Sequence, residues 1–103
     1  MSETSQTIKA WGDETFGKAM DPVKLVERAE IEMAELKDAL TAGDMTEAGK
    51  EAADIVILLH RLMGDLGKDL SAEVDAKMAI NRDRKWMSAG DGTGSHTAKS
   101  QDE

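Results

Sequence analysis

Residues 51–62 read Glu51-Ala52-Ala53-Asp54-Ile55-Val56-Ile57-Leu58-Leu59-His60-Arg61-Leu62, and the fold turns on how the apolar run at their centre is read. Ile55 to Leu59 is rich in β-branched side chains and has the length of a buried strand, but its flanks decide against one. Ala48, Ala52, Ile55, Leu59 and Leu62 continue a helical pattern through the run and out on both sides. No Pro interrupts Met45 to Leu66, and Asp44 followed three residues later by Glu47 supplies a capping pattern at the start. A long helix over 45–66 is therefore predicted. Residues 55–59 are apolar around its whole circumference, whereas a helix in a small three-helix chain keeps one polar face. Something must cover the second face, and a homodimer whose helices complete a four-helix bundle does so.

Outward from this helix, Asp21-Pro22 is a start signal, since Asp caps free N–H groups and Pro has no N–H to lose at the first helical position. Val26, Ala29, Met33, Leu36 and Leu40 then recur on one stripe, which predicts a helix over 22–41 ending near Gly43. Downstream, Gly64 and Gly67 loosen the long helix, and Ser71 is expected to cap a third over 72–86. Residues 1–20, with Trp11, Gly12, Phe16 and Gly17, read as an irregular arm. Beyond Met87 there is little to bury, so a disordered tail over 87–103 is expected to follow one all-α domain over 1–86.

Composition excludes several classes. The chain has 103 residues, no Cys, and 21 Asp and Glu against 13 Lys and Arg, for a formal charge of −8. A disulfide scaffold, a zinc finger and a cysteine nucleophile are ruled out, and a reducing cytoplasm is the simplest home. The longest apolar run falls far short of the roughly 18 residues of a membrane span, and no cleavable signal is read. So negative a chain with three aromatic residues is a poor ligand for a nucleic-acid polymer and a good one for metal cations.

Four acids stand out. Glu32 and Glu35 are three residues apart on the first helix, and Glu51 and Asp54 are three apart on the second, each pair beside its helix's apolar stripe. Packing the stripes together brings all four toward one seam, where their repulsion calls for protons or cations. Hard divalent cations such as Mg²⁺ or Mn²⁺ suit carboxylates with open positions. The spacing is equally that of an ordinary acidic, solvated helix. A carboxylate-bridged di-iron site needs Glu-x-x-His, and Ile57 stands three residues before His60, so that design drops out. His60 reads as a rim or interface residue and His96 as part of the tail. Lys77, Asn81 and Arg84 align a cation, an amide and a guanidinium along one helix face, as a polyphosphate grip or as a solvated cationic face. Trp11 and Phe16 either stack on a nucleobase or cover the end of the bundle.

Glu32-Met33-Ala34-Glu35, Glu51-Ala52-Ala53-Asp54 and Lys77-Met78-Ala79-Ile80-Asn81-Arg82-Asp83-Arg84, in this order over residues 8–86, resemble the E-x-x-E, E-x-x-D and K-x-x-x-N-x-x-R motifs of the MazG-like all-α nucleoside triphosphate pyrophosphohydrolases. Trp11 to Gly17 is similar to the W-x-x-x-T-F-G opening of their phage (MazZ-type) dATP/dGTP diphosphohydrolase subgroup. Many family members carry two adjacent acids at the first motif, where this chain has Ile31 before Glu32. The resemblance implies a four-helix core assembled as a homodimer or homotetramer. It implies Mg²⁺ or Mn²⁺ held by Glu32, Glu35, Glu51 and Asp54, with Glu35 or Glu32 orienting a water. It also implies Lys77, Asn81, Arg84 and Trp11 on a purine nucleoside triphosphate, dGTP or dATP, cleaved to the monophosphate and pyrophosphate. The alternatives are a non-enzymatic acidic helical adaptor and a house-cleaning hydrolase of non-standard nucleotides.

Overall fold

Both long helices begin at aspartate caps. In the computed structural model, which describes residues 2–96, Asp21 accepts the Val23 N–H at 3.0 Å and opens α2, Pro22–Ala42. Asp44 accepts the Glu47 N–H at 3.1 Å and opens α3, Met45–Asp65. Gly43 closes α2 in the left-handed region, so Gly43 and Asp44 alone join the two helices. Both elements match the sequence reading to within a residue.

Residues 1–20 differ from it. Ser5–Phe16 form a further helix, α1, opened by a reciprocal capping box in which Thr4 accepts the Thr7 N–H at 3.2 Å and Thr7 accepts the Thr4 N–H at 2.9 Å. Threonine stands where Glu or Gln usually marks this box, and mid-helix Gly12 lowers the intrinsic propensity, so the local signal is weak. Packing supplies what propensity lacks. A Cβ on Gly64 of α3 would stand 2.6 Å from the Lys9 side chain and 2.8 Å from the Ser5 carbonyl, so α1 lies directly on the α3 backbone.

Contacts divide the chain into two units, Met1–Glu73 and Val74–Glu103. In the first, α3 packs against α2 and α1 around a core of Ile8, Leu25, Ala29, Ala39 and Ala48. Of the stripe expected to be buried on α2, Ala29 is buried, but Val26, Met33 and Leu40 are 43%, 55% and 54% exposed. Leu25 and Ala39 take the inward positions instead. The helix is apolar over two adjacent stripes, and packing on α3 selects one.

The last helix, α4, spans Leu70–Asp83. Its cap is Asp69, which accepts the Ala72 N–H at 3.2 Å, and not the expected Ser71. Asp69 also accepts the Ser5 N–H at 3.2 Å, and these two N–H donors hold its carboxyl below the usual range. The helix stops short of 86 because the Asn81 carbonyl is taken by the Arg84 N–H and by the Trp86 indole, at 2.7 Å. Residues 87–96, expected to carry no regular structure, complete an antiparallel hairpin of β1, Trp86–Ser88, and β2, Gly94–His96. Asp91 accepts the Thr93 N–H and hydroxyl, while Gly90 and Gly92 take the positive φ that the tight reversal demands. The Trp86 and His96 rings meet edge to face across the strands at 5.8 Å. Residues 97–103 of the expected tail lie outside the described residues. No helix among the described residues is long and apolar enough to cross a membrane.

Ser5 is fully buried and ties three segments together: its Oγ accepts the Leu70 N–H at 2.8 Å and meets His60 Nδ1 at 2.9 Å. His60, expected at a rim or interface, is thus half-buried beneath α1. Ser5→Ala strands the Leu70 N–H, and urea unfolding is expected to give a loss of about 1–3 kcal/mol.

Candidate active site

The seam between α2 and α3 brings three of the four singled-out acids together. Glu32, Glu35 and Glu51 each place a carboxylate oxygen within 4.8 Å of the others, an arrangement able to hold a metal ion. Glu32 stands three residues after buried Ala29 and Glu51 three after buried Ala48, so small side chains on the seam let the helices approach and carry the acids inward with them. Glu51 is only 8% exposed, and its Oε2 finds no hydrogen-bond partner among the described residues. Glu35 is exposed, and Glu32 is half-buried with Arg28 at 3.9 Å.

This crowding changes the acidity of the group at the centre. A hydrogen bond shared with Glu32, burial, and the neighbouring Glu35 and Glu47 push the Glu51 carboxyl up to about 8. An oxygen that is buried, unpartnered and set among like charges is the donor a divalent cation fits, because the cation replaces the proton and satisfies several carboxylates at once. Glu47, one turn before Glu51, belongs to neither acidic motif, and its sequence signal is the i, i+4 spacing on the same face. It lines a cavity of about 490 Å³ together with Glu35, Asp38, Asp44 and Glu51.

Asp54 lies outside the three-carboxylate group. It is exposed and shares with Glu32 the lining of a second cavity of about 650 Å³. That cavity is walled by Trp11, Phe16, Gly17, Leu25, Ile57 and Leu58 and carries Lys18, Lys24, Arg28 and Arg61. Trp11 and Phe16 stand edge to face, ring centroids 5.5 Å apart. A cavity lined by aromatic, apolar and cationic side chains thus adjoins the carboxylates through Glu32. Lys77 and Asn81 lie on α4 and Arg84 just past its end, in the second unit. Arg61 was also passed over in the sequence, where nothing but its place on the apolar helix marks it.

The upward shift at Glu51 has a definite consequence for stability. Its proton stays on in the folded chain at pH values where an unfolded chain has lost it, so its contribution is complete below the ordinary glutamate range and fades as pH rises toward 8. In EDTA the melting temperature is expected to fall from about pH 5 to about pH 8, and excess Mn²⁺ to remove that fall by occupying the deprotonated cluster. A flat profile that Mn²⁺ does not alter counts against a metal site.

No protein-family model matches the chain. A dATP/dGTP diphosphohydrolase of Salmonella phage PMBT28 is 31% identical over 96 residues, which is 93% of this chain and 31% of that protein. A dATP/dGTP diphosphohydrolase of Cyanophage S-2L is 40% identical over 57 residues, 55% of this chain and 54% of that protein. The chain therefore spans about a third and about half the length of these curated relatives. Its fold is similar to the Cyanophage S-2L MazG-like pyrophosphohydrolase bound to dGDP and three catalytic Mn²⁺ ions per active site. There the TM-score is 0.71 and the identity 30%, over 93% of this chain and 91% of that one.

Proposed function

The chain belongs to the MazG-like pyrophosphohydrolases, and on that premise we propose that it hydrolyses a purine deoxynucleoside triphosphate, dGTP or dATP, to the monophosphate and pyrophosphate with Mg²⁺ or Mn²⁺. The observation that carries the reading is the convergence of Glu32, Glu35 and Glu51 beside an aromatic-walled cavity that shares Glu32 with them. The relatives named above, and the dGDP and Mn²⁺ of the similar structure, support the choice of substrate class and metal.

Glu32, Glu35 and Glu51 would hold the cations, with Asp54, one turn beyond Glu51, closing the set from the cavity side. Cations held by these residues would supply Lewis-acid chemistry, polarising phosphate oxygens and easing deprotonation of an attacking water. Glu35, the exposed member of the cluster, would accept that proton, and Glu32 is the other candidate. One water is added as the anhydride bond between the α- and β-phosphates breaks, so that one nucleoside triphosphate yields one monophosphate and one pyrophosphate. Trp11 and Phe16 would take the base, while Lys24 and Arg28 add positive charge at the rim. The assignment of Lys77, Asn81 and Arg84 to the phosphates rests on their sequence pattern alone.

The second copy invoked for the long helix belongs to the same proposal. Val26, Met33 and Leu40 on α2 and Val56 on α3 are large, apolar and exposed, which is the surface a homodimer or homotetramer would bury. Met33→Lys is expected to lower the solution mass to that of one chain in light scattering; an unchanged oligomer mass would move the interface elsewhere.

The reaction itself is tested by pyrophosphate release from the eight common dNTPs and NTPs with Mg²⁺ or Mn²⁺. Purine deoxynucleotides should be turned over, and Glu51→Gln should reduce the rate at least about a hundredfold with helix content unchanged, since even outer-shell losses at metal sites cost tenfold to a hundredfold. If no nucleotide is cleaved under either metal, the alternatives of an unusual nucleotide substrate or an acidic adaptor take precedence.

A further inference from the structure

We propose that Arg61 is a positioning residue for substrate recognition: from its place in the lining of the cavity it fastens the end of α1 and the turn after it into the wall against which the base would rest. The proposal rests on the functional reading above, because it takes the 650 Å³ cavity to be the base-binding cavity.

Arg61 projects from α3 and is 8% exposed. Its Nη2 donates to the Gly17 carbonyl at 2.5 Å and stands 3.5 Å from the Asp13 carboxylate, and its guanidinium carbon lies 5.8 Å from the centre of the Phe16 ring. Its stem and Nε run against Gly12 so closely that a Cβ there would be 2.5 Å from Nε and 2.6 Å from Cδ. One side chain therefore engages Gly12, Asp13, Phe16 and Gly17. Phe16 in turn holds the Trp11 ring edge-on.

A guanidinium is an uneconomical way to hold two helices together. Nε is buried with no hydrogen-bond partner among the described residues, and burying a charge with an unsatisfied donor costs stability that an apolar side chain of similar volume would not. What the guanidinium adds is direction. One nitrogen of its rigid, planar head reaches a carbonyl and a carboxylate while the guanidinium carbon lies over the face of the Phe16 ring, a fixed arrangement that a lysine ammonium on its flexible stem does not reproduce. Arg61 thus sets where Phe16 and Gly17 stand relative to Ile57 and Leu58, the opposite wall on its own helix.

The test is the division of kinetic effect between KM and kcat. With Mn²⁺ and the best purine deoxynucleotide, Arg61→Lys is expected to raise KM about tenfold or more while kcat stays within about twofold, since a misplaced wall weakens binding at a distance from the reacting phosphorus. The rise in melting temperature on adding Mn²⁺ should equal that of the wild type. Ser5→Ala, which weakens the same unit away from the cavity, should leave KM at its wild-type value. A purely structural role predicts the opposite split, with kcat falling as the folded fraction falls and KM unchanged, and that result overturns the proposal. If Arg61→Lys lacks the wild-type circular dichroism spectrum, Asp13→Asn decides. It removes an Arg61 partner that does not line the cavity, and raised or unchanged KM supports or overturns the proposal in turn. A wild type that cleaves no nucleotide defeats the functional reading and this inference together, whereas an active wild type with unaltered KM in the variants defeats this inference alone.

Discussion

Three carboxylates crowded onto one helical seam are the constraint around which the first unit is arranged. Like charges within 4.8 Å repel, and one of them, Glu51, is almost fully removed from water. Burial and the neighbouring carboxylates favour a proton on Glu51 and push its carboxyl up to about 8. The same cost makes the seam useful. A cation entering there would displace the proton and turn a repulsive contact between α2 and α3 into an attractive one, which would couple metal binding to helix packing.

Around the seam, the first unit keeps a small core and an unusual share of polar devices. Among its described residues Ile8, Leu25 and three alanines form the buried apolar set, while Ser5, Glu51 and Arg61 are buried as polar ones. Ser5 ties α1 to His60 and to the backbone at Leu70; Arg61 ties the other end of α1 to α3. The first helix is thus held at both ends by directed bonds, and between them by the close approach at Gly12 and Gly64. Directed bonds hold a wall in place where a few apolar contacts would let it slide, and this wall borders the cavity beside the carboxylates.

The long helices were legible because their signals are local. Asp21-Pro22, Gly43 and Asp44 each act within one turn, and each sits where its chemistry places it. The first helix was not legible, since a Thr–Thr capping box and a mid-helix glycine say little until Gly12 and Gly64 are seen packed against side chains from the facing helix. The hairpin was missed for a related reason. Its turn depends on Asp91 and two glycines, but its pairing depends on Trp86 leaving the helix to cap Asn81 and to meet His96. On α2 the sequence offered two apolar stripes, and nothing local distinguishes Leu25 and Ala39 from Val26 and Leu40.

The sequence by itself determined the helical class, the helix ends that carry caps, and the pairs of acids at E-x-x-E and E-x-x-D, because periodicity, capping and side-chain spacing are set within a few residues of chain. Only the tertiary structure decided which acids meet. Glu32, Glu35 and Glu51 converge while Asp54 turns to the cavity, and Glu47 and Arg61 take places beside them that no motif announces. The physical reason is that distance between side chains on different helices follows from which stripes pack together. That choice is made by the whole set of contacts at once, through the small residues that permit close approach and the buried polar groups that must find partners.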